Sequence, residues 1–222
     1  MAGLALISFL GDHFDAFASG FWVTVRLVGI SFAVAMAVGT LVAALRVAPS
    51  PWLNRLGAFY VETFRNVPLL VLLFISYAGL RRAGVDINAW VAGTGSLGLY
   101  TGAYVAEALR SGVFSVGKGQ IEASLSLGMS YRKTLRHIVL PQAFRTVISP
   151  LGSLIIAMIK NSAIIGVSLL ALPDLLKQAR IVSSQTFLTD ESFFWAAVGY
   201  LLLTGVATLL IRGLERRYAI RR

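Results

Sequence analysis

Apolar and polar positions alternate along this chain in long blocks. Residues 21–45 carry one charge, Arg26, near their start, and residues 59–80 are apolar beyond Glu62 and Arg65. Residues 93–116 are interrupted only by Glu107 and Arg110, residues 144–172 hold Lys160 and, at their very start, Arg145, and residues 193–211 hold no charge. Each block is close to the ~20 residues a helix needs to cross a ~30 Å hydrocarbon layer. The pattern predicts an all-α membrane protein with five spans at about 21–45, 59–80, 93–116, 144–172 and 193–211. The apolar run at 1–10 is too short to span and lacks the basic start of a signal peptide, so it reads as an interfacial lead-in. No linker-like stretch or internal repeat divides residues 1–222, which predicts one transmembrane domain.

Small residues recur every four positions on two of these blocks. Ser31, Ala35, Gly39 and Ala43 share one face of the first, and Gly98, Gly102 and Ala106 share one face of the third. Such stripes let helix backbones approach closely in lipid, within one chain or across a subunit interface.

Composition agrees with the pattern. The hydrophobic share is 57% and the charged share 14%, against about 25% charged in soluble domains; mean hydropathy is +0.76. The absence of Cys excludes disulfides, iron–sulfur clusters and thiol nucleophiles. A net charge of +10 would ordinarily raise nucleic acid as a partner, yet its distribution follows the blocks instead. With the N-terminus outside, twelve Lys and Arg fall in cytoplasmic segments, among them Arg46, Lys118, Arg132, Lys133, Arg136 and the C-terminal cluster. Four fall outside: Arg81, Arg82, Lys177 and Arg180. The excess of cytoplasmic Lys and Arg predicts an outside N-terminus, a cytoplasmic C-terminus and no nucleic-acid partner.

The segment 117–141 is punctuated differently. Gly117 and Gly119 end the third block, residues 120–127 read as a short helix, and Gly128 is a natural left-handed end for it. Ser130 can cap a second run, and Pro141 suits the first turn of the next span. Glu122-Ala123-Ser124, three residues, Gly128, nine residues, Ile138, one residue, and Leu140-Pro141 resemble the EAA motif of bacterial ATP-binding-cassette (ABC) importer permeases. Ser124 stands where the motif has a second Ala. Phe64-Arg65-Asn66-Val67-Pro68, Gly102-Ala103-Tyr104 through Glu107, Lys160-Asn161-Ser162 and Leu140-Pro141-Gln142 are similar to the polar amino-acid branch, with a lean toward its acidic-substrate members.

That resemblance implies a transport subunit without catalytic residues, working by alternating access in the bacterial inner membrane. The helix at about 119–128 would be the coupling helix, laid on a partner ATPase that carries ATP and Mg²⁺. Small Ala123 and Ser124 would permit close docking, Glu122 would offer a charged contact, and Arg132 would flank them. The chain would bind no cofactor or metal itself. Its partners would be an ATPase dimer, a second or homologous permease, an extracytoplasmic solute-binding protein and membrane lipid.

Ionisable groups inside spans are costly and mark candidate pathways. Arg65, Asn66, Glu107, Lys160, Asn161 and Ser162 form the candidate substrate pathway, with the Lys160 charge available to hold a carboxylate. The plain alternative makes Lys160 a structural partner of Glu107 or Glu62. Glu62/Arg65 and Glu107/Arg110, each three residues apart, can also pair within their own helices, and Arg26 can snorkel. Gly112 through Gly119 almost spell a phosphate-binding loop, but Gly119 replaces the Ser or Thr and no strand precedes it. His13 and His137 form no metal-binding pair. An ion-gradient-driven carrier or channel is the other functional class compatible with several spans.

Overall fold

The computed structural model describes residues 2–168, 170 and 172–218, with side chains from residue 6 onward. Among these residues ten α-helices follow in order: α1 (Ala2–Val47), α2 (Pro51–Asn66), α3 (Leu69–Phe74), α4 (Leu80–Arg82) and α5 (Ala89–Phe114), then α6 (Lys118–Ser126), α7 (Tyr131–Thr134), α8 (Leu140–Val167), α9 (Leu175–Thr186) and α10 (Thr189–Tyr218). A π-helical turn at Ile75–Gly79 joins α3 to α4, and another at Leu135–Val139 joins α7 to α8. No strand occurs among the described residues.

Among the described residues, three stretches are long and apolar enough to cross a membrane: Leu6–Val47, Tyr131–Val167 and Thr189–Tyr218. A fourth arises if the pair formed by Pro51–Asn66 and Leu69–Arg82, bent by 101°, counts as one span. The expected span at 59–80 is therefore not a straight helix. Pro68 has no N–H to continue α2 and disfavours helical backbone at Val67, so the chain turns there. The expected third span corresponds to the 26 residues of α5. Its many Gly, Ser and Thr leave α5 short of the apolarity of the three stretches above, so it is not among the candidate spans. Residues 2–10, the expected interfacial lead-in, form the first turns of α1, which runs unbroken for 46 residues.

The chain forms two compact units. The first comprises residues 1–34, 67–98 and 155–207. Phe9 and Phe17 of α1 pack with Leu175, Ala179 and Val182 of α9 and with Ala196 of α10. The Trp195 indole donates to the Leu6 carbonyl at 3.0 Å, which pins the early turns of α1 to α10. A Cβ on Gly98 would lie 2.7 Å from Val34 Cβ, so α5 meets α1 backbone to backbone.

The second unit comprises residues 35–66, 99–154 and 208–222. Val42 and Ala43 of α1, Val61 of α2 and Ala106 of α5 form its core. A Cβ on Gly39 would lie 2.6 Å from Val105 Cγ1 and 2.8 Å from the Gly102 carbonyl oxygen. The Tyr60 hydroxyl donates to the Leu99 carbonyl at 2.7 Å. The two small-residue stripes thus meet each other within one chain, Gly98 against Val34 and the Ser31 carbonyl, Gly102 against Ala35 and Gly39, and Ala106 against Ala43.

Candidate functional site

The punctuated segment builds a corner in the second unit. Gly117 precedes α6 with no side-chain cap, and Gly119, expected to help end the third span, lies inside α6. After Ser126 the backbone reverses at Gly128, whose φ of +80° is a conformation that costs other L-residues about 1–2 kcal/mol. The Met129 N–H donates to the Ser124 carbonyl at 3.1 Å and the Gly128 N–H to the Leu125 carbonyl at 2.9 Å. Those two bonds define a Schellman end, which satisfies carbonyls that the helix leaves open. Ser130, in extended backbone, then leads into α7 without a side-chain cap.

The corner is clamped from within. Ser124 and Thr134 are both buried and their hydroxyls hydrogen-bond at 2.9 Å, so Ser124 faces α7 while its neighbour Ala123 is exposed. Gln142 bonds to Gln120, tying the start of α8 back to α6. The π turn lets the Leu140 N–H reach the Leu135 carbonyl, and the Gln142 amide donates to the Ile138 carbonyl at 2.9 Å. Pro141, which cannot donate, is thereby absorbed in a helix that continues through α8. Ile138 is half-buried, and Leu140, Pro141 and Arg132 are exposed. On the outer side of the corner Glu122, Ala123, Leu125 and Tyr131 are exposed, and Leu127 is 83% exposed.

The second unit also holds a cavity of about 560 Å³ lined by Arg65, Tyr104, Glu107, Ser111, Ser115, Thr146 and Ser153 among others. The Arg65 guanidinium lies 5.2 Å from the centre of the Tyr104 ring, a cation–π distance. The expected Glu62–Arg65 pair does not form among the described residues, because the ring captures Arg65 instead. Arg110 does bind Glu107, with Nε at 3.1 and 3.2 Å from its two oxygens, and Arg46 Nη1 lies 3.8 Å from the same carboxylate. Arg46 Nε is buried without a hydrogen-bond partner among the described residues. Three guanidiniums around one carboxylate leave local positive charge beside a hydroxyl-lined cavity. Asn66 is exposed at the end of α2.

The remaining candidate pathway residues belong to the first unit. Lys160 is exposed and pairs with neither Glu107 nor Glu62 among the described residues. Asn161 is half-buried, and buried Ser162 donates to the Ile159 carbonyl at 2.7 Å. Asp174, just ahead of α9, is completely buried. It caps α9, accepting from the Lys177 N–H at 2.8 Å, and accepts the Tyr200 hydroxyl at 3.3 Å. Burial pushes its pKa from 3.8 to about 6, against the opposing pull of those two bonds. An acid just ahead of a helical run was a legible cap signal; its burial was not.

Comparison with known proteins gives a consistent result. The family model described as binding-protein-dependent transport system inner membrane component matches residues 4–220. The "Probable glutamine ABC transporter permease protein GlnM" of Bacillus subtilis (strain 168) is 41% identical over 95% of this chain and 97% of its own length. The "Glutamate transport system permease protein GluC" of Corynebacterium glutamicum is 40% identical over 91% and 93%. A solved structure titled "Crystal structure of an amino acid ABC transporter with histidines" superposes with a TM-score of 0.88 at 33% identity, covering 94% of this chain and 96% of that one.

Proposed function

This chain belongs to the family of binding-protein-dependent transport system inner membrane components, and on that premise we propose that it is the membrane-spanning permease subunit of an ABC importer for polar amino acids. The observation that carries the reading is the corner at Gly128. It is a short helix, fixed from within by Ser124 and Thr134, that presents Leu125, Leu127 and Glu122 outward. Leucines left exposed on a corner clamped from within need a partner surface. A cytoplasmic ATPase is the partner this reading assigns to them, with ATP and Mg²⁺ bound there.

In this reading two permease copies, or this chain and a homologous one, sit on an ATPase dimer in the bacterial inner membrane. An extracytoplasmic binding protein delivers the substrate, and closure of the ATPases moves the corners and opens the permeases outward. The cavity beside Arg65 and Glu107 and the polar step at Lys160 serve the translocation path. Their positive charge supports an anionic substrate, glutamate or aspartate in preference to glutamine.

The test is uptake into proteoliposomes holding this chain with its ATPase and binding protein. Labelled glutamate should accumulate only with internal ATP, unlabelled aspartate should compete better than glutamine, and Lys160→Ala should weaken uptake. Accumulation driven by an ion gradient without ATPase would overturn the reading in favour of a secondary carrier. Preferential competition by glutamine would overturn the acidic lean alone.

A further inference from the structure

Two neighbouring cavities in the second unit share no lining residue with the cavity beside Arg65 and Glu107 and lie at the base of the corner. Their volumes are about 440 and 490 Å³, and both are lined by Ala44, Val47, Val113 and Leu135. The walls come from the end of α1, the end of α5 and the π turn with the start of α8. The first is almost wholly apolar, with Thr40 its one polar residue, and the second carries Lys118, Tyr131 and Thr134 at one side. Alanines make the room: Ala43, Ala44 and Ala143 stand where longer side chains would have filled it. Apolar space of this size is poorly occupied by water, and left empty it forfeits packing.

Charge selects the occupant. No acidic residue lines either cavity. Lys118 stands at the second, and Arg132, Lys133 and Arg136 are exposed on the adjoining segment. Basic pockets between membrane helices on the cytoplasmic side suit anionic lipid headgroups. We infer that this groove binds one anionic glycerophospholipid of the surrounding bilayer, an acyl chain lying along Ala44, Val47, Val113 and Leu135 and the phosphate held by Lys118. The cytoplasmic placement of Lys118 rests on the permease reading above. The bound lipid would brace the π turn against α1 and so hold the corner's base.

The experiment measures lipid retained by the detergent-purified complex of this chain with its ATPase, after exchange against phosphatidylglycerol or phosphatidylcholine of matched chains, read by native mass spectrometry. One phosphatidylglycerol per chain should persist, preferred over phosphatidylcholine by about fivefold or more, as one interfacial cation contributes. Ala44→Phe, at an exposed position shared by both cavities, should abolish retention. Lys118→Glu should bind a chain but lose the headgroup preference. Equal retention of both lipids by the unaltered protein, or retention by Ala44→Phe matching it, would sink the proposal. Because the readout is bound lipid, a failure of ATP-driven uptake would leave this result standing, and the reverse also holds.

Discussion

Asp174 shows how much one side chain can carry in this molecule. Its carboxylate caps α9 through Lys177 N–H and receives Tyr200 from α10. The backbone of its neighbour Leu175 donates to Thr24 Oγ1 of α1 at 3.1 Å, and Gly166 near the end of α8 is in such close contact with the carboxylate that a Cβ there would collide with it. A group that holds its proton more tightly folded than unfolded stabilises the fold fully below its unfolded pKa and loses that contribution as pH rises through its folded pKa. For Asp174 the window runs from 3.8 to about 6, and the difference amounts to about 3 kcal/mol. Thermal unfolding of the detergent-solubilised protein should therefore shift to lower temperature as pH rises from about 4 to about 6. Asp174→Asn, which keeps an acceptor for the Lys177 amide without the charge, should flatten that dependence. An unchanged slope in the variant would assign the pH effect to other groups. Gly128 is legible in a different way: its place after a short helical run already announced a left-handed backbone, and φ is +80°.

Helices pack here by their small residues, and the glycines divide into two kinds. Gly39 lies against Val105 and the Gly102 carbonyl, whereas Gly29 on the same helix has nothing within 4 Å of where a Cβ would stand. Gly39→Val should force α1 from α5 and cost about 1–3 kcal/mol by overpacking. Gly29→Ala should be neutral or stabilising by up to about 1 kcal/mol, since Ala is the better helix former. Denaturation midpoints of the two variants in detergent check both statements, and equal losses would contradict the contact. The stripes were readable from spacing alone, including which positions would face a neighbour. The break in the second expected span was less so, although Pro68 was in view: hydropathy averages over a turn, and a proline in a membrane helix can kink it gently or end it. Which outcome applied depended on where α2 and α3 found their partners.

At the scale of the whole chain, the proposed orientation rests on the uneven distribution of Lys and Arg. The sequence contains no Cys, so single cysteines report position without background. Phe187, 87% exposed in the turn between α9 and α10, and Leu127 at the corner suit this test. In intact cells Phe187→Cys should react with a membrane-impermeant maleimide, and Leu127→Cys should react only after permeabilisation. The opposite pattern would reverse the proposed orientation and remove the corner from reach of a cytoplasmic ATPase.

The sequence alone determined the membrane class, the helical content, the close-packed faces of α1 and α5, and the helix–glycine–helix order at the corner. Each of these depends on local rules: apolar run length, four-residue spacing and the backbone freedom of one glycine. The tertiary structure decided the rest. It turned Ser124 inward to Thr134 and placed Arg65 over Tyr104 when Glu62 was nearer in sequence. It also buried Asp174 and left a cationic apolar groove beside the π turn. The physical reason is that in a chain apolar on nearly every face, hydropathy no longer marks which side of a helix is covered. Burial and pairing are then set by which polar groups and small side chains the packed helices bring within reach.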